Sequence, residues 1–176
     1  MDGEPFLRGE TVTLRTVEEA DIPLLQHARS DPEIRTALTF TLPHSRQRVQ
    51  SFFETVVVED DSSVNLIVDV DGESAGEANL FNIEQRRGEL AYWLLPEFRG
   101  NGHASEAVSL LIDHGFDALE LHRIYAQTLE SNAASQGFLE SLGFTLEGQF
   151  REHHFMEGRR QDTYYYGLLR SEWDGR

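Results

Sequence analysis

The stretch Gly88–Leu119 reads G-E-L-A-Y-W-L-L-P-E-F-R-G-N-G-H-A-S-E-A-V-S-L-L-I-D-H-G-F-D-A-L. Its first part, Glu89 to Leu95, is rich in aromatic and aliphatic residues and predicts a buried strand. Pro96 ends that strand, because proline has no N–H to give a sheet ladder. The run Arg99-Gly100-Asn101-Gly102-His103-Ala104 predicts a sharp turn. Ala104, Ala107, Val108, Leu111, Ile112 and Gly115 then recur at helical spacing. A strand that feeds a helix through a glycine turn leaves unpaired N–H groups at the helix start. Together with the helix dipole they make an anion site. The expected ligand is a pyrophosphate.

Before this stretch, Thr11–Val17 alternates as a strand, and Glu18 to Asp21 opens a helix that Asp31-Pro32 breaks. Pro43-His44-Ser45 starts a second helix that runs through Val57. The apolar, threonine-rich connection from Ile34 to Leu42 lies between them, where a substrate is expected. Val64–Val70 and Ser74–Ile83 predict a hairpin around Asp71-Gly72. After the stretch come a strand at Arg123–Leu129 and a helix opened by Ser131-Asn132 and closed by Gly143. Strands at Phe144–Phe155 and Gln161–Leu169 complete the chain. The aromatic residues Phe138, Phe144, Phe150 and Phe155 read as core, as does one face of Tyr164–Tyr166. The order β-α-α-β-β-β-α-β-α-β-β predicts one α/β domain over residues 1–176. Its mixed sheet of about six to seven strands would carry helices on both faces.

The chain has 31 acidic residues against 15 basic ones, for a net charge of −16. All the basic residues are arginine, and there is no cysteine. Such a charge disfavours nucleic acid. It fits a halophilic host or a cationic substrate. Lack of cysteine excludes disulfides and thiolate metal sites, and the histidine spacings suggest no metal. No apolar run reaches the length of a membrane span and no signal-peptide pattern opens the chain. A cytoplasmic protein, monomer or homodimer, without membrane partners is expected.

The turn R-G-N-G-H-A fits the Arg/Gln-x-x-Gly-x-Gly/Ala signature of the GCN5-related N-acetyltransferases (GNAT), placed after a strand and before a helix as in that family. The run E-S-N-A-A-S-Q-G-F-L-E-S-L-G-F resembles the family's second hallmark. The ending R-E-H-H-F-M-E-G-R-R-Q-D-T-Y-Y-Y-G-L-L-R-S-E-W is similar to the branch that acetylates the N-termini of ribosomal proteins. The resemblance spans Thr11 to Trp173. It implies the GNAT fold, with a bulged strand before the turn that splays from Arg123–Leu129 into a V-shaped cleft for acetyl-CoA, the cosubstrate. The pantetheine would pair with backbone at Trp93 and Leu94. The pyrophosphate would rest on Gly100, Asn101, Gly102, His103, Ala104 and Ser105, with Arg99 adding charge and Asn132 touching the cofactor or capping its helix.

The resemblance also implies catalytic roles. Ser135 would give a proton to the leaving thiolate. Many relatives carry a Tyr acid where this chain has Leu139, and a Glu base where it has Gln127. The two candidates for the general base are Glu89 on the central strand and His154, and His153 should point to the opposite face from His154. The expected reaction is transfer of an acetyl group to a primary amine. The acceptor is a protein N-terminal α-amine or, as alternative, a small-molecule amine such as an amino acid, polyamine or aminoglycoside. A non-catalytic CoA-binding module is the third possibility.

Overall fold

A computed structural model describes residues 3–175. One eight-stranded sheet organises them, one strand or more beyond the sequence expectation. The strands are β1 (Pro5–Arg8), β2 (Val12–Thr16), β3 (Val64–Val70), β4 (Glu73–Glu84), β5 (Arg87–Leu94), β6 (Arg123–Leu129), β7 (Thr145–Met156) and β8 (Arg159–Leu169). Their spatial order is β1-β2-β3-β4-β5-β6-β8-β7. All neighbours are antiparallel except β5 and β6. The helices are α1 (Ile22–Ser30), α2 (Pro32–Ala37), α3 (Arg46–Phe52), α4 (His103–Asp117) and α5 (Ala133–Ser141).

Alternation along β3 assigns the helices to faces. Leu66 and Val68 join the core with Val108, Leu111 and Ile112 of α4 and Leu139 of α5. Ile67, between them, packs with Ile22, Leu25 and Val49 of α1 and α3. The sheet is thus covered on both faces. Pro32 does not merely break α1. Asp31 accepts N–H bonds from Glu33 (3.0 Å) and Ile34 (2.9 Å), and Pro32 occupies the first helical position, where its missing N–H costs nothing. The expected connection is therefore partly helix α2. After α3, Phe53–Val58 continues as a π-helical extension.

The feature that positions the site is a parting of strands. Parallel pairing of β5 and β6 covers only Arg87↔Arg123, Gly88↔Ile124 and Glu89↔Tyr125. Beyond this β5 stays with β4 as far as Gly76↔Leu94, and β6 stays with β8 as far as Leu129↔Thr163. The expected V-shaped opening is present. The bulge expected in β5 is not: its register with β4 is regular from Phe81↔Glu89 to Gly76↔Leu94, and the irregularity lies between Phe81 and Glu84. Close approach of β4 needs a glycine, since a β-carbon on Gly76 would stand 2.0 Å from the Trp93 carbonyl oxygen.

β7 is an edge strand, and Phe150 and Phe155 on it are exposed. This corrects their reading as core: β7 has a partner on one side only. Phe144 is buried, Phe138 packs on the core, and Tyr166 is buried while Tyr165 stacks on Tyr125.

Candidate active site

A cavity of about 1240 Å³ fills the opening between β5 and β6. Its lining includes Glu89, Ala91 and Trp93 of β5 and also Tyr92 and Leu94. Odd and even residues of one strand face opposite sides of a sheet. The cavity therefore passes through the sheet, from the α4/α5 face to the α1–α3 face.

On the α4/α5 face the wall is the glycine turn. Gly100 (φ 82°) and Gly102 (φ 86°) are left-handed, the conformation glycine adopts without penalty. A β-carbon at either would meet nothing within 4 Å, so backbone conformation rather than space demands glycine there. Gly102 is the N-cap of α4 and supplies no side-chain cap, which leaves the first N–H groups of the helix open. Gly100, Gly102, Ala104 and Ser105 line the cavity. Asn101 and His103 do not line it; Asn101 is exposed, and the His103 ring is engaged with the Phe98 carbonyl oxygen at 3.1 Å. Only their backbone can serve an anion. Arg99 lines the cavity, yet its Nε donates to the Leu94 carbonyl (2.9 Å) and its Nη1 to Glu33 of α2.

Of the β5 backbone where the pantetheine was expected, Trp93 is paired with Glu77 of β4 and the Leu94 carbonyl is held by Arg99, which leaves the Leu94 N–H. Leu95 N–H bonds the Ala75 carbonyl on the β4 side (2.8 Å). Alternation then turns the Leu94 N–H toward the opening. Across it, Asn132 Oδ1 accepts the Ser135 N–H (3.1 Å), so Asn132 caps α5 while also lining the cavity. The Ser135 hydroxyl lies 3.3 Å from the Tyr92 hydroxyl. Burial pushes the Tyr92 phenol up to about 12, against a smaller pull from Ser135. The sequence reading missed Tyr92, because an aromatic residue in a strand reads as core.

Glu89 is buried, and both its oxygens are held: Oε2 accepts from Asn82 Nδ2 (3.0 Å) and Oε1 from Gln127 Nε2 (2.9 Å). Gln127 is thus a clamp on Glu89. Burial and then the Glu89 charge raise the nearby Tyr125 phenol. His154 lines the cavity and its pKa is lowered, first by burial and then by the charge of His153. His153 lines the same cavity, against expectation, with the two rings 4.7 Å apart. The alternation fails because β7 bulges between Phe150↔Thr163 and His154↔Gln161. Glu152 at the bulge has φ 51°, and its N–H is held by Asp162 Oδ1 at 2.7 Å.

On the α1–α3 face stands a cluster that the sequence did not disclose. Glu77 of β4 is buried and accepts from Trp93 Nε1 (2.7 Å). Burial raises its pKa, with Arg29 pulling the other way. Arg29 of α1, Phe40 and Phe52 complete this end, and α2 with the residues after it forms the outer wall.

Residues 11–145 match the family described as an acetyltransferase (GNAT) domain. The chain is 34% identical over 172 residues to the uncharacterised N-acetyltransferase p20 of Bacillus licheniformis, covering 94% of this chain and 97% of that one. It is 28% identical over 174 residues to YdaF, a candidate ribosomal N-acetyltransferase of Bacillus subtilis, covering 94% and 95%. Its fold superposes on the crystal structure of a Vibrio cholerae spermidine N-acetyltransferase in complex with CoA and spermine. The TM-score there is 0.88 at 24% identity, over 93% of this chain and 98% of that one. Strands that part around a through-sheet cavity, beside an uncapped helix start, are thus joined to a family match over most of the length. The chain belongs to the GNAT acetyltransferases, and is an acetyl-CoA-dependent acyltransferase with their α/β fold.

Proposed function

We propose that this enzyme acetylates the α-amine of a protein N-terminus. The observation that carries the reading is the cavity through the sheet, which puts Ser135 and Tyr92 on one face and Glu89 on the other. Acetyl-CoA supplies an activated acetyl group as a thioester. Residues of this chain suit such a ligand. The open N–H groups of α4 and the left-handed glycines match a pyrophosphate, and the Leu94 N–H, turned toward the opening, matches an amide carbonyl of an extended chain.

The chain's own groups then divide the work. The Leu94 N–H is a donor for the carbonyl oxygen under attack. As the amine nitrogen bonds the carbonyl carbon and the C–S bond breaks, Ser135 gives its proton to the sulfur and recovers one from water, to which Glu89 returns the proton that it takes from the amine. Glu89, fixed by two amides at the point where β5 and β6 part, receives the proton lost by the amine, directly or through water. His154, its pKa lowered by burial and by the charge of His153, is the other group able to take it. Asn132 fixes Ser135 by capping its helix.

The ribosomal type of acceptor is supported by the chain's ending and by its similarity to YdaF. A small-molecule amine is the second reading. It is favoured by the wall that α2 and Leu38–Phe40 build over the acceptor side. Release of free thiol from acetyl-CoA, measured against N-terminal peptides and small amines, tests both. Binding of acetyl-CoA with no turnover on any amine would reduce the protein to a CoA-binding module.

A further inference from the structure

Arg29 is buried, at 6% exposure, and lines the acceptor end of the cavity. Inside the protein it makes one hydrogen bond, from Nη1 to the Leu25 carbonyl (2.9 Å). None of the ion pairs among the described residues includes it. Its guanidinium carbon lies 4.4 Å from the ring centre of Phe52 and 5.1 Å from that of Phe40, so two faces are apolar. Glu77, the carboxylate that acts on it electrostatically, is bonded to Trp93 Nε1 instead. The neighbouring Ala28 packs with Trp93, which places Arg29 at the Trp93 end of β5, away from Glu89.

A buried cation is costly unless it is paired. The remaining N–H donors of a guanidinium form a planar fork that matches a carboxylate. In a chain of net charge −16 this cation is held inside the substrate cavity. We infer that Arg29 is a specificity-determining residue that receives a carboxylate of the acceptor, so that the preferred acceptor is an amine bearing an acidic group. This rests on the acetyl-transfer reading above. It disfavours polyamines, whose second cation would face Arg29. The carboxylate has two possible sources, an acidic side chain beside a peptide N-terminus or the acid group of a small amino compound.

The test compares isosteric pairs. Ser-Asp-Gly-Gly amide is set against Ser-Asn-Gly-Gly amide, and 4-aminobutyrate against 4-aminobutanamide, with spermidine as a cationic control. The wild type should prefer the acidic member of one pair by about tenfold in kcat/KM, the size of a charge-assisted hydrogen bond. The pair that shows the preference identifies the source. Arg29→Gln should abolish the preference by slowing the acidic member far more than the amide member, and Arg29→Lys should restore part of it. Equal rates within both pairs in the wild type, or equal losses on both members in Arg29→Gln, would overturn the inference. Should Arg29→Gln fail to fold, inhibition of the wild type by succinate but not by succinamide reads the same preference, and equal inhibition rejects it. Calorimetric binding of the two N-acetylated peptides reads it without turnover. Loss of acetyl transfer and loss of carboxylate selectivity are therefore distinguishable results.

Discussion

The hydroxyl oxygens of Tyr92 and Ser135 lie 3.3 Å apart, which joins β5 to the first turn of α5 across the opening. Either hydroxyl can donate; in the proposed reaction a phenol that donates to Ser135 Oγ leaves the serine proton for the thioester sulfur. Ser135→Ala should lower kcat about 100-fold, the lower part of the range for a general acid, with acetyl-CoA affinity unchanged. Tyr92→Phe should cost about fivefold, as for one ordinary hydrogen bond. Stopped-flow and calorimetry separate the two effects. A Ser135→Ala enzyme with full kcat would remove Ser135 from the mechanism.

Tyr92 also makes a prediction about alkali. Its folded pKa, about 12, lies above the ordinary value of 10. The folded chain therefore holds the proton that the unfolded chain releases. Stability from this group is fully present below pH 10 and is lost as pH rises from 10 toward 12. In an ultraviolet titration to pH 11, Tyr92→Phe should leave the tyrosinate signal of the folded protein unchanged.

Glu89 and His154 are separated by substitution. Glu89→Gln should lower kcat about 100-fold, while His154→Phe should leave kcat near that of the wild type. The opposite pattern would assign the proton to His154. In that case the acid limb of kcat/KM, lying below pH 6.5 because the His154 pKa is lowered, would vanish in His154→Phe. For stability the sign is definite. His44, His114 and His154 all have lowered values, so the unfolded chain binds more protons and stability falls as pH drops below 6.5. His154→Phe should make that fall shallower in thermal melts.

Two glycines near the cofactor face are needed for different reasons. Gly102→Ala forces a left-handed alanine and should cost about 1–2 kcal/mol of stability, together with acetyl-CoA affinity. Gly76→Ala has no conformational penalty to meet, but its methyl group strikes the Trp93 carbonyl oxygen. It should cost about 1–3 kcal/mol by overpacking and displace the end of β5. Chemical denaturation and CoA titration of both variants check this.

Elements whose signals are local were legible in the sequence. Pro96, the left-handed pair Gly100 and Gly102, and Gly143 punctuate the chain through backbone constraints that hold in any tertiary context. Apolar spacing along α4 did the rest. Local signals failed where a partner decides the structure. β1 has four residues and exists because β2 offers an edge. α2 exists because Asp31 turns a proline break into a helix start. His153 and His154 share one cavity because Asp162, on another strand, holds a bulge at Glu152.

The same division holds for the turn between Gly88 and Leu119. By its residue order alone it determined a strand, a left-handed glycine turn and an uncapped helix start, hence an anion site. Chain direction and backbone conformation suffice for that. The parting of β5 and β6 was implied by the family resemblance, but only the tertiary structure decided that it begins after Glu89↔Tyr125 and turns one strand end into the wall of a through-sheet cavity. It alone brought Tyr92 to Ser135, Asn82 and Gln127 to Glu89, and Arg29 to the acceptor end. Those contacts join residues far apart in the chain, and their chemistry arises from burial and proximity, which no short stretch of sequence contains.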